Sequence, residues 1–442
     1  RGGPAVGGGK LNITIPLAWP KAMIIALLIG LAGPAIAQSN DAIHLGVQTC
    51  GASTCHGAVQ PWQNSTVLQN EFIIWSTHDA HSNAYKSLLS DRAKRISARL
   101  GLGPPEQAAT CLNCHANNVP AEKQGKNFNI ADGVGCESCH GGAENWLGTH
   151  VSGVSSRPEL VAAGMYPTED PIARAELCIG CHLPNPDRLV NHRLLAAGHP
   201  RLAFELDTFS VNQPAHARID DDYRQRKPDH NGAKLWAVGQ AVSARQQMRG
   251  LAQTMSRNAN LFPELTFFEC GSCHRPFDSA IGADRVRAGL GPGEPQLYDA
   301  NLVMLRAIAD AVDPDIAQRL KNQTRALHRA SRQGAGAVAR AANELAELAD
   351  KLATRLNGTP PDRNDLRAIL NTLASRQHAA KYVDFGAAEQ TTMAVAAILE
   401  TLGEAPDPGA LDQLYDATQS PARFNSRGFA NALAQLRESL KK

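Results

Sequence analysis

The ten cysteines of this 442-residue chain form five pairs, and a histidine directly follows the second cysteine of every pair. Four pairs have two residues between their cysteines, whereas the first has four, all of them small. The pairs are Cys50 and Cys55, Cys111 and Cys114, Cys136 and Cys139, Cys178 and Cys181, and Cys270 and Cys273. The histidines that follow them are His56, His115, His140, His182 and His274.

Cysteine-x-x-cysteine-histidine is the attachment signature of c-type haem. The two thiols form thioether bonds with the porphyrin, and the histidine binds the iron from one face. Zinc ribbons and disulfides also use paired cysteines, but neither requires a histidine after every pair. At the wider first segment, the alternative is a thiol pair with an incidental histidine. The pattern predicts five covalently bound c-type haems and no disulfide.

The N-terminal segment has the pattern of a secretory signal peptide. Lys10 and Lys21 precede an apolar run at residues 22–32, and Ala35-Ile-Ala37 forms a small-residue cleavage site. The alternative, an uncleaved anchor, is disfavoured because a membrane-spanning helix needs about 20 apolar residues. The sequence predicts a signal peptide at 1–37 and a periplasmic or extracellular chain without a transmembrane segment.

The charge of the chain from Gln38 onward is close to zero. The charged residues before Gln38 are all basic, and the remainder of the chain carries 41 basic and 42 acidic residues. Proteins that bind nucleic acid usually have a clustered basic surface. We therefore expect no nucleic-acid partner.

Composition divides the chain into two predicted domains of a mainly α fold. Residues 38–285 hold all ten cysteines and 13 of the 15 histidines. We expect a loop-rich multihaem cytochrome c domain with short helices there, because a chain that surrounds five haems buries porphyrin in place of much side-chain core. Residues 286–442 contain no cysteine, and their apolar residues recur at three- and four-residue steps, which predicts a C-terminal α-helical bundle.

Helices are predicted in the bundle at 298–312, 338–356, 362–376, 387–402 and 425–440, with a further one starting at Asp313-Pro314. This region contains no recognisable catalytic constellation. The bundle is interpreted as a scaffold, and an interaction module is the alternative.

The second axial ligand of each iron decides between an electron carrier and an enzyme. Eight of the ten remaining histidines fall in the haem domain, which is enough to give every iron a second imidazole. Imidazole on both faces gives low-potential haems, since methionine is the ligand that raises the potential. The methionines that could serve at one site instead are Met165, Met248 and Met255.

Three segments, residues 75–85, 135–150 and 191–202, resemble the multihaem cytochromes c of the superfamily that includes the tetrahaem nitrification cytochromes and hydroxylamine oxidoreductase. The resemblance covers roughly residues 45 to 275. It implies closely stacked haem pairs, and distal ligands at His81, His150 and His199. His192 and His216 complete the predicted set, and His78 competes with His81. No cysteine-x-x-cysteine-lysine motif is present, so a lysine-ligated nitrite-reductase haem is not indicated.

Two classes of function follow from these residues. The first is an exported electron-transfer protein with mostly bis-histidine haems, working between a quinol-linked or dehydrogenase donor and a terminal acceptor. The second is an oxidoreductase that acts on a small nitrogen or sulfur compound at one open haem, with the first motif as the candidate and His78 or His44 as donors. A subunit of a homo-oligomer or cytochrome filament is a further alternative.

Overall fold

The structure is a computed structural model, and it describes residues 41–63, 67–185, 188–216, 220–226, 231–257, 264–274, 294–375 and 384–440. All of them belong to one compact unit, Asn40–Lys442. The predicted signal peptide lies outside the described residues, as do His230 and His378.

The described part of the chain contains α-helices, short 3-10 turns and no strand. The helices before residue 275 are α1 Val47–Cys50, α2 Glu71–His78, α3 Ala84–Leu88, α4 Asp91–Leu100, α5 Ala109–His115, α6 Cys136–His140, α7 Leu147–Ser152, α8 Arg157–Ala162, α9 Pro171–His182, α10 His192–Ala196, α11 Leu206–Asn212, α12 Asp221–Arg226 and α13 Gly232–Arg257. The 3-10 turns are Ala80–Asn83, Pro105–Gln107, Ala121–Lys123, Ile130–Asp132, Leu265–Phe267, Cys270–Ser272 and Pro421–Arg423. The prediction of a mainly α, loop-rich chain is confirmed.

Local capping signals place two helices that carry predicted ligands. The Asp170 carboxylate accepts the backbone N–H of Ala173 at 2.9 Å, and Pro171 occupies the first position of α9. That helix ends at His182. The Asn191 side chain likewise accepts the backbone N–H of Leu194 at 2.9 Å and starts α10 directly at His192.

Helix α13 is 26 residues long and was not expected from the sequence. Small and apolar residues occur on nearly all of its faces, and Trp236, Ala237, Val238 and Ala241 are fully buried. Because α13 is buried on nearly all of its faces, its sequence lacks the one-sided apolar periodicity of a surface helix. The chain before residue 275 therefore contains a long buried helix in addition to its short ones.

The C-terminal helices begin and end close to their predicted positions. They are α14 Ala300–Val312, α15 Pro314–Ala330, α16 Ala335–Gly358, α17 Arg363–Leu373, α18 Phe385–Leu402, α19 Pro408–Ala417 and α20 Ser426–Ser439. Helix α19 was not predicted, although proline occupies its first position after Asp407. No described helix is long and apolar enough to cross a membrane.

One hydrophobic core extends from Ala175 in α9 to Leu436 in α20 and includes α13. The nearly buried guanidinium of Arg245 in α13 binds Glu176 of α9 and, at 2.5 Å, Asp350 of α16. Described residues on both sides of position 285 thus share one core, and the predicted division into 38–285 and 286–442 stays a prediction.

A buried carboxyl group in α11 should make stability depend on pH. Burial, followed by the charges of Glu205 and Glu400, raises the pKa of Asp207 from 3.8 to about 7. The folded chain then holds a proton that the unfolded chain releases, so this contribution to stability is full below about pH 4 and is lost as the pH rises towards 7.

Replacing Asp207 with asparagine should remove this component. We expect the wild type to lose more stability than Asp207→Asn between pH 5 and pH 8, measured by urea denaturation at each pH. The exposed Asp412 provides the control, because Asp412→Asn should follow the wild type. Parallel profiles for the wild type and Asp207→Asn would contradict the assignment.

Candidate functional site

Short helices and turns present the predicted haem-binding motifs. Motif residues end α5 and α9 and form the whole of α6, so each first cysteine, second cysteine and histidine fall within about one helical turn. The first cysteine of the first motif, Cys50, ends α1 and the rest of that motif forms a turn, whereas the fifth motif begins with a 3-10 turn, Cys270–Ser272. All ten thiols are free, and no disulfide joins them. Each motif therefore keeps both thiols available for thioether bonds.

Four motif histidines face a second imidazole from elsewhere in the chain. The ring centroids lie 6.0 Å apart for His56 and His150, 6.4 Å for His115 and His199, 6.1 Å for His182 and His81, and 6.2 Å for His274 and His192.

These separations match what a six-coordinate iron requires. A metal–imidazole nitrogen bond is about 2.0–2.1 Å long, and the nitrogen lies about 1 Å from its ring centroid, so two imidazoles on one iron hold their centroids about 6 Å apart. Direct packing of aromatic rings also covers this range, from 4.5 to about 7 Å. The free thiols beside each motif histidine favour haem binding over simple ring packing as the reason for these distances. The residues present therefore fit a c-type haem.

The hydrogen bonds of the rings leave the same nitrogen free. In His56, His81, His115, His199 and His216, the hydrogen-bonded ring atom is Nδ1. Nε2 is then available to bind iron. His328 differs, because its Nε2 lies 2.9 Å from Asp299 Oδ2 in the bundle. That contact places His328 in the core and outside the ligand set.

His140 has a different environment from the other motif histidines. No described imidazole faces its ring at a comparable distance, but His216 lies close enough to influence its charge. Burial, and then the positive charges of His216 and Arg157, lower the pKa of His140 to about 4. Among the described histidines, His216 has the largest effect on the pKa of His140, which makes it the candidate for the second ligand at this motif.

Thiols of different motifs also contact each other. The thiols of Cys50 and Cys136 lie close enough for their interaction to raise the pKa of Cys50 and lower the pKa of Cys136. The thiol of Cys114 likewise lies close to that of Cys181 and, with Arg188, lowers the pKa of Cys181 to about 6 against the effect of burial. The first motif therefore lies beside the third, and the second beside the fourth.

Two carboxylates, which the sequence analysis missed, contact predicted ligands. Asp79 Oδ1 lies 2.8 Å from His81 Nδ1, and Glu71 Oε2 lies 2.9 Å from His56 Nδ1. Burial would raise the pKa of Asp79, but hydrogen bonds from His81 and Gln213 lower it to about 2. Asp79 is therefore ionised at neutral pH. The only sequence signal was an acidic residue two positions before a candidate ligand.

The remaining candidate histidines occupy other positions. His78 is exposed at the end of α2, and His81, three residues later, faces His182. His44 Nδ1 lies 2.9 Å from the Asn117 amide nitrogen. Neither His78 nor His44 faces a motif histidine among the described residues.

Comparison with known proteins agrees with this site. Residues 49–141 match the family model described as cytochrome c554 and c-prime. The chain is 30% identical over 157 residues to cytochrome c-554 of Nitrosomonas europaea, an alignment that covers 32% of this chain and 59% of that protein. The chain thus spans about three fifths of the length of this relative. No solved structure gives a significant match.

The cysteine motifs and these matches make the chain similar to multihaem c-type cytochromes.

Proposed function

We propose that this chain is an exported pentahaem electron carrier with bis-histidine haems. Each motif would hold one haem through its two thiols and its histidine, and the bound haem would supply a one-electron couple. The protein's residues set the position and potential of each haem. The observation that carries the proposal is that four motif histidines each face a second imidazole at 6.0–6.4 Å.

The proposed axial pairs combine each motif with a distant segment. They are His56 with His150, His115 with His199, His182 with His81, His274 with His192, and His140 with His216. The first four are supported by ring geometry, and the last by the influence of His216 on the charge of His140. Two imidazoles on each iron would give low potentials, which suit transfer between redox proteins.

Proximity of the motifs supports transfer within the chain. The Cys50–Cys136 and Cys114–Cys181 contacts bring two pairs of motifs together, and Cys178 lies close enough to Cys139 to raise the pKa of Cys139. Four motifs would therefore form one continuous series. The short α10 segment, which carries His192 and precedes His199, would link the fifth motif to the second.

The proposal also includes the cellular location of the protein, its redox partners and its superfamily. The signal pattern at 1–37 supports a periplasmic or extracellular location, where donor and acceptor proteins would exchange electrons with the haems. The match at 49–141 supports membership of the superfamily that includes the tetrahaem nitrification cytochromes and hydroxylamine oxidoreductase. The C-terminal helices would act as a scaffold or an interaction module.

An oxidoreductase with one open haem is the second candidate function. His150 faces His56, which disfavours an open iron at the first motif. His140 lacks a facing ring among the described residues, so an open haem would be placed at the third motif instead. Steady reoxidation of the reduced protein by nitrite, hydroxylamine, sulfite or tetrathionate would favour this function over the carrier.

The haem count tests the proposal directly. We expect the intact mass of the exported chain to show five haem additions and no free thiol. The double variant Cys50→Ser, Cys55→Ser should lose one haem, as should its control Cys270→Ser, Cys273→Ser. Four haems in the wild type, unchanged by the first double variant, would show that the wider first motif binds none.

A further inference from the structure

The predicted ligands differ in the groups that accept a hydrogen bond from their Nδ1 atoms. Carboxylates contact His56 and His81, which belong to two different axial pairs. His115 and His199, which form a third pair, contact neutral groups. Ser87 Oγ and Ala84 O lie 3.0 Å and 3.1 Å from His115 Nδ1, and Pro200 O lies 2.8 Å from His199 Nδ1.

Asp79 is rigidly held beside His81. Its side chain is only 3% exposed, and its Oδ1 accepts both the backbone N–H of His81 at 2.9 Å and the ring N–H at 2.8 Å. Gln213 Nε2 donates to Oδ2 at 3.1 Å. Three hydrogen-bond donors thus hold the Asp79 carboxylate in place beside the His81 ring.

Glu71 occupies the corresponding position beside a motif histidine. It lies in the first turn of α2, its side chain is 19% exposed, and its Oε2 is 2.9 Å from His56 Nδ1. Glu71 therefore contacts the histidine of the first motif itself, whereas Asp79 contacts the histidine that faces the fourth motif from elsewhere in the chain.

A carboxylate that accepts the Nδ1–H bond makes the imidazole a stronger donor. Stronger donation stabilises ferric over ferrous iron and lowers the reduction potential. We propose that Asp79 and Glu71 are positioning residues that lower the potentials of the haems at residues 178–182 and 50–56 below that of the haem at 111–115. The inference rests on the proposed axial pairs.

Isosteric amides test this role because they keep shape and remove charge. We expect Asp79→Asn and Glu71→Gln each to raise the potential of one haem, and a different haem in each variant, measured by spectroelectrochemical titration. The electron paramagnetic resonance signal of that haem should shift while staying low-spin. Ser87→Ala is the matched control, since Ala84 O still accepts from His115 and no potential should move.

Histidine variants separate the inference from the proposed function. If His81→Ala leaves every haem low-spin, the axial pair itself is wrong. If His81→Ala creates one high-spin haem but Asp79→Asn and Glu71→Gln leave all potentials unchanged, only the tuning role is overturned. Glu71→Gln keeps the test valid if Asp79→Asn folds poorly, because Glu71 is an independent site.

Discussion

Replacing His150 or His199 with alanine is expected to convert one haem from low spin to high spin in each variant. Each imidazole faces a motif histidine, at 6.0 Å for His150 and 6.4 Å for His199. The thioether bonds do not involve these residues, so the haem count should stay the same. Loss of an imidazole donor should also raise the potential of the affected haem. Low-temperature electron paramagnetic resonance measures the spin change, and intact mass measures the haem count.

His78→Ala is the control for both variants. His78 is exposed and faces no motif histidine among the described residues, so its removal should leave every haem low-spin. The double variant of His150 and His199 should show two high-spin haems, because the two residues face different motifs. A wholly low-spin spectrum from both single variants would contradict the proposed pairs.

The sequence predicted which residues could form the site but not how they pair. The cysteine motifs are local, so spacing alone identifies them, and the resemblance supplied His81, His150 and His199. Pairing depends on which distant segments meet, as when α10 brings His192 to His274. Asp79 and Glu71 were missed because an acidic residue near a histidine is common, and only three-dimensional contact distinguishes a carboxylate that touches the ring.

The fold was predictable where helices are amphipathic and capped. Asp313 and Pro314 mark the start of α15 as expected, and the Asp313 side chain accepts the backbone N–H of Ile316. Helix α13 was missed because burial on all faces removes the period that identifies a helix. Because α13 is buried, it is a central element of the core that residues on both sides of position 285 share. Composition alone suggested two separate domains.

Trp236→Ala is expected to lower the free energy of unfolding by about 3–5 kcal/mol, the usual cost of deleting a fully buried tryptophan side chain. Trp236 lies in α13 and is 0% exposed within the core that joins α9 to the C-terminal helices. Because one core contains residues from before and after position 285, haem absorbance and far-ultraviolet circular dichroism should report the same unfolding transition, at a lower urea concentration than in the wild type.

Trp62→Ala is the matched control: Trp62 is 45% exposed, and its loss should change stability by less than about 0.5 kcal/mol. Two separate transitions, with haem absorbance unaffected by Trp236→Ala, would instead support independent folding of the regions before and after residue 285.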